Sequence, residues 1–259
     1  MKELARGKIP GTRGIKKREE TEDRARLKSQ EKWREKRGQI MRYTTVIFDM
    51  DGTLLNTLDD IADGVNYILE QYGYPRKAPE EVRRALGNGA GRLMEGVLPG
   101  GRENPRFDQI LEEYCRYYQA HCQMKTRAYD GISETLEKLK AEGVSMGIVS
   151  NKGDGAVKEL ARQYFSDCIR TAVGEKPGIR RKPWPDSVLE ALRLLGGERA
   201  SALYVGDSEV DYETAKNAGI DCALVSWGFR SRELLEGFSP NYLIDRPQEL
   251  LSAVLGEIH

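Results

Sequence analysis

The chain has few of the residues that build zinc sites and disulfide frameworks. Among its 259 residues are only two histidines, and the four cysteines, Cys115, Cys122, Cys168 and Cys222, include no Cys-x-x-Cys pair. Neither kind of site is therefore indicated. No apolar run approaches the roughly 18–20 residues that a membrane span needs. These absences predict a cytoplasmic protein in a reducing compartment, with no membrane partner.

The charge is balanced overall but unevenly distributed. The whole chain has 41 basic and 41 acidic residues, and residues 1–40 contain 14 of the basic and 7 of the acidic ones. Residues 41–259 therefore have 27 basic and 34 acidic side chains. An acidic body without a basic stripe argues against nucleic acid as a partner and is compatible with binding of a divalent cation.

Residues 1–40 are almost wholly polar and contain too few apolar side chains to bury a face. We expect this segment to be a charged, disordered extension; a basic arm for RNA or another anionic surface is the alternative. Because no apolar centre follows its basic start, the segment does not resemble a secretory signal, and its acidic residues argue against a transit peptide.

The position of Met41, two residues before the first predicted strand, suggests a different origin for the extension. Our hypothesis is that translation starts at Met41. Intact-mass measurement of the native protein should then show a chain that begins at residue 41. A native chain that begins at Met1 would contradict the hypothesis.

After residue 41, apolar runs alternate with amphipathic stretches, which predicts a Rossmann-like α/β fold with a doubly wound parallel sheet. The predicted strands are Thr44–Phe48, Val144–Val149, Cys168–Val173, Ala202–Val205, Cys222–Trp227 and Tyr242–Ile244. The predicted helices between them are Ile132–Ala141, Gly155–Tyr164, Asp186–Leu195, Asp211–Ala218, Glu233–Glu236 and Gln248–Leu255.

Residues 58–129 contain no convincing strand and several amphipathic helices. These helices are Leu58–Tyr72, Pro79–Leu86, Ala90–Leu98 and Phe107–Gln123. We therefore predict a helical cap at 58–129, inserted into a core formed by 41–57 and 130–259. Such an insertion should lie over the carboxyl edge of the sheet, where open α/β sheets bind their ligands.

The run Asp49-Met50-Asp51-Gly52-Thr53 directly follows the apolar Val46-Ile47-Phe48. Side chains alternate along a strand, so Asp49 and Asp51 point the same way, and Gly52 allows an immediate turn. Two carboxylates then share one small pocket. This arrangement indicates phosphoryl transfer.

Three later segments accompany this run in a fixed order, and together the four resemble the haloacid dehalogenase superfamily. They are Ser150-Asn151-Lys152, Lys182-Pro183-Trp184-Pro185 and Gly206-Asp207-Ser208-Glu209-Val210-Asp211. The resemblance implies that Asp49 is the nucleophile, which carries a phospho-aspartate, and that Asp51 is the acid and base. It excludes the dehalogenases themselves, because those enzymes lack the second aspartate and need no metal.

A carboxylate that attacks a phosphate meets like charge, which costs about 4 kcal/mol per unit pair at ~4 Å in an effective dielectric of about 20. Cations must offset this cost. The resemblance implies Mg²⁺ held by Asp49, Asp207 and the backbone carbonyl of Asp51. Asp211 is expected to support the metal through water or to hold Lys182.

The phosphate is expected to contact Ser150, Asn151 and Lys182; Asn151 would orient Asp49 or the substrate. Lys176 is a rival to Lys182, since a proline follows it too. Lys182 is preferred because the resemblance implies a Lys-Pro-x-Pro run directly before a helix, and Pro185 suits the first turn of that helix. Lys176 is then expected to be a solvated loop charge.

The segment Leu86–Arg92 and the run Trp227-Gly228-Phe229-Arg230 are similar to phosphoglycolate phosphatases. The resemblance predicts substrate specificity from Gly87, Asn88, Gly89 and Arg92, with Arg83 and Arg84 as further candidates for a substrate carboxylate.

The leading expectation is hydrolysis of a small phosphorylated metabolite, 2-phosphoglycolate, by a monomer or a homodimer. Pyrophosphatase, sugar-phosphate phosphatase and β-phosphoglucomutase activities stay open, since all of them fit the same four segments. A binding protein without catalysis is disfavoured by the intact Asp49, Asp51, Lys182 and Asp207.

Overall fold

The computed structural model describes residues 41–256, so the predictions for residues 1–40 lie outside the described residues. The described chain contains a six-stranded sheet, whose strands are β1 Thr45–Phe48, β4 Ser145–Gly153, β5 Thr171–Glu175, β6 Ala202–Gly206, β7 Asp221–Val225 and β8 Tyr242–Ile244. Their order across the sheet is β5-β4-β1-β6-β7-β8, and every neighbouring pair is parallel. The predicted α/β fold is confirmed.

The central strands are apolar because both of their faces are covered. All residues of β1 and β6 are buried, as expected for a parallel sheet between helices. β1 pairs with β4 on one side and with β6 on the other, so the strand order reverses at β1. A ligand site is expected outside the carboxyl end of the strand where this reversal occurs.

Helices of the core follow the predicted pattern closely. Their bounds are α5 Ile132–Ala141, α6 Asp154–Phe165, α7 Asp186–Leu195, α8 Glu209–Ala218, α9 Arg232–Glu236 and α10 Glu249–Leu255. α7 and α8 pack apolar residues, among them Val188, Leu192 and Ala215, onto Ile47 and Tyr204 of the sheet. This packing fixes the ends of β1 and β6 relative to the loops that carry the polar residues.

One predicted strand, Cys168–Val173, begins three residues too early. The amides of Cys168 and Ile169 donate to the carbonyl of Phe165, so the turn after α6 holds the first residues of the apolar run. β5 therefore starts only at Thr171.

The interval after β1 is helical, as predicted. It contains α1 Leu58–Gln71, α2 Pro79–Arg84, α3 Gly89–Val97 and α4 Phe107–His121. Two short strands that were not predicted, β2 Leu55–Asn56 and β3 Arg127–Ala128, pair antiparallel. They join the segment that enters this helical interval to the segment that leaves it. The described residues from Arg42 onward form one compact unit, so the domain boundaries at 57/58 and 129/130 stay predictions. None of the helices described combines the length and the apolar character that crossing a membrane requires.

Candidate active site

Three buried aspartates meet at the carboxyl end of the sheet. Asp49 follows β1, Asp207 follows β6, and Asp211 lies in the first turn of α8. Each offers a carboxylate oxygen, and these oxygens lie within 4.8 Å of one another. The structure thus brings together side chains that are up to 162 residues apart in the chain.

Lys182 supplies the positive charge of this cluster. Its Nζ lies 2.8 Å from Asp49 Oδ1 and 2.8 Å from Asp211 Oδ1, and its side chain is only 3% exposed. The same ammonium donates to the hydroxyl of Tyr204 at 3.1 Å. Lys182 is therefore held against Asp49 by two further partners.

Asp211 has its hydrogen-bonding capacity filled by the protein. Its Oδ1 accepts from Lys182 and from the Tyr204 hydroxyl, the latter at 3.0 Å. Its Oδ2 accepts from the Ser208 hydroxyl at 2.6 Å and from the backbone amides of Asp207 and Ser208 at 3.2 and 3.1 Å. This geometry supports the expectation that Asp211 holds Lys182, and it leaves little capacity for direct metal binding.

Three carboxylates around one ammonium leave an excess of negative charge. Burial lowers the pKa of Lys182, but Asp211 and Asp49 outweigh it, so the net shift is upward and the ammonium stays charged. Burial raises the pKa of Asp49 well above its ordinary value, which Lys182 only partly offsets. Burial, together with the charge of Asp211, raises the pKa of Asp207 to about 7. A bound cation would relieve this excess.

The donors at this position suit Mg²⁺. Asp49 and Asp207 offer buried carboxylate oxygens, and hard oxygen ligands are those that Mg²⁺ prefers. The backbone beside them is close: a β-carbon at Gly52, whose φ is +84°, would clash with the Asp207 carboxylate. The part of the Asp51 carbonyl as a ligand stays a prediction.

Binding of Mg²⁺ is expected to strengthen as the pH rises through 7. At a pH below its pKa of about 7, Asp207 is protonated and must lose this proton before it can ligate the ion. The affinity for Mg²⁺ therefore falls by about tenfold for each pH unit below that pKa. In the metal-free protein the same group destabilises the fold increasingly as the pH rises toward 7, because the folded form binds the proton more tightly. Mg²⁺ should therefore raise the melting temperature more at pH 8 than at pH 6.

Thermal unfolding with and without Mg²⁺ at the two pH values measures this difference. Asp207→Asn is the matched control, and it should lose the Mg²⁺-dependent shift at both pH values. An equal shift at pH 6 and pH 8 in the parent protein would contradict the assignment.

Asp51 lies beside the cluster with its own partners. Thr57 donates to Asp51 Oδ1 at 2.6 Å, and Lys152 Nζ lies 3.1 Å from the same oxygen. The Lys152 ammonium also donates to the hydroxyl of Tyr118, on α4, at 2.6 Å. The carboxylate of Asp51 is thus held by Lys152 of the core and by Thr57, which directly precedes the helical insertion.

Ser150 and Asn151 lie at the end region of β4, and both are buried. The Asn151 side chain bonds to backbone groups, which gives no support to a role in orienting Asp49, and its role toward the substrate stays a prediction. Its Nδ2 donates to the carbonyls of Gly87 and Lys182, at 3.2 and 3.1 Å, and its Oδ1 accepts from the Lys182 amide at 2.8 Å. Asn151 therefore positions the loop that carries Lys182 and joins it to the helical insertion.

A cavity of about 380 Å³ connects these groups with the helical insertion. Its floor contains Asp49, Asp51, Ser150, Asn151, Lys182 and Asp207. Its wall from the helical insertion is largely apolar and aromatic, with Ile61, Leu86, Ala90, Leu93, Tyr114 and Tyr118.

The predicted specificity residues divide into two groups. Gly87 and Gly89 line the cavity, whereas Asn88 and Arg92 are not among its lining residues. The Arg92 side chain is 59% exposed and pairs with Glu95 at 2.8 Å. Its position gives no support to the prediction that it meets a substrate carboxylate.

Arg83 and Arg84 are not among the lining residues either. Arg83 instead donates to the carbonyls of Phe229 and Gly228, at 2.9 and 3.1 Å. From the other side, Arg230 donates to the carbonyl of Leu86 at 2.9 Å. These bonds fasten the helical insertion to the 227–230 loop, whose Phe229 amide donates to Asp207 Oδ2 at 2.7 Å.

Four residues of the site had no role in the sequence analysis: Tyr204, Thr57, Lys152 and Tyr118. Lys152 stands in the run that was singled out, next to Ser150 and Asn151, and Tyr204 is a polar-tipped residue in an otherwise apolar strand. Lys176 also differs from expectation, since it lines the cavity and is only partly exposed.

Comparison with known proteins places this geometry among phosphatases. The family model described as haloacid dehalogenase-like hydrolase matches residues 46–225. A curated phosphoglycolate phosphatase from Aquifex aeolicus (strain VF5) is 33% identical over 215 residues, which cover 80% of this chain and 94% of that protein. A curated N-acetylmuramic acid 6-phosphate phosphatase from Pseudomonas aeruginosa is 28% identical, with 83% and 96% covered.

A crystal structure from Lactobacillus delbrueckii subsp. bulgaricus has the same architecture. It superimposes with a TM-score of 0.79 at 34% identity and covers 83% of this chain and 100% of that one. The assignment of that protein as a phosphoglycolate phosphatase is itself a prediction.

Proposed function

The chain belongs to the haloacid dehalogenase-like hydrolases, and on that premise we propose that it is a Mg²⁺-dependent phosphatase of small phosphomonoesters, with 2-phosphoglycolate as the lead substrate. The observation that carries the proposal is the position of Asp49. Its buried carboxylate touches Lys182, adjoins Asp207 and faces the same cavity as Asp51.

In the first step, a carboxylate oxygen of Asp49 attacks phosphorus, and the bond between phosphorus and the ester oxygen breaks. Asp51 gives its proton to the ester oxygen, so the leaving group departs as an alcohol. Lys182 and Ser150 bind the phosphoryl oxygens. The product of this step is a phospho-aspartate at Asp49.

In the second step, water attacks the phosphorus of the phospho-aspartate while Asp51 takes a proton from the water. Phosphate leaves and the Asp49 carboxylate is restored. Thr57 and Lys152 hold the Asp51 carboxylate in place during both steps. Asp49 and Asp207 would hold Mg²⁺, which offsets the negative charge of carboxylate and phosphate.

A sugar-phosphate phosphatase is the second candidate. A cavity of about 380 Å³ is within the range that holds drug-sized ligands, and it exceeds the need of 2-phosphoglycolate. One relative is named for a sugar phosphate. The two candidates share the floor of the site and differ in what the apolar wall contacts.

A substrate panel tests the proposal. Phosphate release with Mg²⁺ would be measured for 2-phosphoglycolate, pyrophosphate, β-glucose 1-phosphate, glucose 6-phosphate and N-acetylmuramic acid 6-phosphate, ranked by kcat/KM. We expect 2-phosphoglycolate to lead. A lead for either hexose phosphate or for the muramic acid derivative would favour the second candidate, and no release from any ester would contradict the phosphatase proposal.

A further inference from the structure

Four cationic side chains line the cavity: Lys152, Lys176, Lys182 and Arg230. Lys182 has all three of its N–H donors in use, and Arg230 uses three of its five. Lys182 contacts Asp49, Asp211 and Tyr204, and Arg230 makes two bonds to Glu209, at 2.8 and 2.9 Å, besides its bond to Leu86. Because Arg230 forms a two-bond ion pair with Glu209, Lys152 and Lys176 are the better candidates to recognise a second anionic group on a substrate.

Lys152 is the better placed of the two. Its side chain is only 8% exposed, and its Nζ lies 4.3 Å from the centre of the Tyr118 ring. An ammonium has three N–H donors. The Tyr118 hydroxyl accepts one of them, the Asp51 carboxylate forms an ion pair with the ammonium at 3.1 Å, and no further acceptor for it occurs among residues 41–256. Lys152 also contacts Asp51, the group expected to protonate the ester oxygen, and the described residues show no such contact for Lys176.

We propose that Lys152 recognises a carboxylate next to the ester oxygen, so that the substrates are phosphate monoesters of 2-hydroxycarboxylic acids. The inference rests on the proposed function, because it uses the role of Asp51 as the group that protonates the ester oxygen. Lys152 touches that same carboxylate at 3.1 Å. In these esters a single carbon separates the ester oxygen from the carboxylate, which brings the anion within reach of the third N–H.

A substrate with a neutral leaving group has no carboxylate for Lys152 to bind. With such a substrate, the Lys152 ammonium loses a charge-assisted hydrogen bond, which is stronger than a bond to a neutral acceptor. The discrimination is therefore expected between esters of similar size that differ in the charge of the group beside the ester oxygen, and 2-phosphoglycolate is the smallest member of the favoured class.

The role of Tyr118 is to position Lys152. Its hydroxyl accepts from the ammonium, and its ring lies below the same charge. Because Tyr118 belongs to α4, the recognising group is complete only when the helical insertion lies against the core. This contact makes Tyr118 a positioning residue for the carboxylate.

The test compares 2-phosphoglycolate with 2-hydroxyethyl phosphate, in which a hydroxymethyl group replaces the carboxylate. The measured quantity is the ratio of the two kcat/KM values. In the parent enzyme we expect a clear preference for 2-phosphoglycolate. Lys152→Met should lower the ratio by about 10- to 100-fold, as expected for loss of a hydrogen bond to a charged group.

Two further variants keep the test valid if Lys152→Met fails to fold. Lys152→Arg should retain part of the preference, since it keeps the charge. Tyr118→Phe removes only the hydroxyl and should raise KM for 2-phosphoglycolate more than it lowers kcat. Lys140→Met, on the exposed face of α5, is the control and should leave the ratio unchanged.

An equal loss of activity toward both esters in Lys152→Met would overturn the proposal, since Lys152 would then serve only to hold Asp51. An unchanged ratio, or a parent enzyme that does not prefer the carboxylate ester, would overturn it as well. In each of these cases the parent protein still hydrolyses phosphomonoesters. Failure of the proposed function differs, because then the parent hydrolyses neither ester.

Discussion

Replacing Asp49 with asparagine is expected to lower phosphate release by a factor on the order of 10⁴ or more. The amide lacks the anionic oxygen that attacks phosphorus, so no phospho-aspartate can form. Steady-state phosphate release with saturating Mg²⁺ measures the effect. Asp167→Asn, an exposed position outside the cavity, is the matched control and should retain parental activity.

The same variant should keep its fold. Burial, only partly offset by Lys182, raises the pKa of Asp49, so its ionised form is unfavourable in the metal-free folded protein. The neutral amide avoids this cost at pH 8, and the melting temperature without metal should equal or exceed that of the parent. The difference should shrink as the pH falls and the parent carboxyl takes up its proton. An active variant would contradict the covalent mechanism; an unfolded one would contradict this electrostatic account.

Lys182→Met is expected to reduce both stability and activity. Removal of the ammonium leaves Asp49 and Asp211 buried without a cation, which should lower the free energy of unfolding by about 3–5 kcal/mol at pH 8. The loss should be smaller at pH 5, because the Asp49 carboxylate, whose pKa is raised by burial, can then bind a proton instead. Phosphate release should fall by about 10³-fold, since the phosphoryl oxygens lose a fixed positive charge.

Urea unfolding at the two pH values and phosphate release measure these effects. Lys140→Met, which removes an exposed charge, should stay within about 0.5 kcal/mol of the parent. A Lys182→Met protein as stable as the parent at pH 8 would show that the three carboxylates do not depend on this ammonium.

Much of the fold was predictable because local pattern and tertiary environment agree. The run Val46-Ile47-Phe48 is buried on both faces. Its apolar character therefore predicted both strand β1 and the position of Asp49 directly after the end of that strand. The choice of Lys182 over Lys176 rested on the family resemblance and on the helix-start chemistry of Pro185, and α7 does begin directly after that proline. Here the resemblance and a local rule together identified which lysine becomes buried.

The partners of Asn151 and Arg83 were not predictable in the same way. Asn151 bonds to Gly87, and Arg83 bonds to Phe229, contacts between segments 64 and 146 residues apart. Hydrophobic periodicity places each residue on a helix or strand but does not specify which loops meet. Tyr118 illustrates the same limit, because its spacing marks a core position whereas its hydroxyl binds Lys152.

The most direct measurement of the central claim is detection of the phosphorylated residue. The enzyme would be mixed with Mg²⁺ and 2-phosphoglycolate, quenched in acid within one turnover, digested and examined by mass spectrometry. The account predicts one added phosphoryl group on the peptide that contains Asp49, absent from Asp49→Asn. Normal turnover with no such adduct, or with the adduct on another residue, would contradict it.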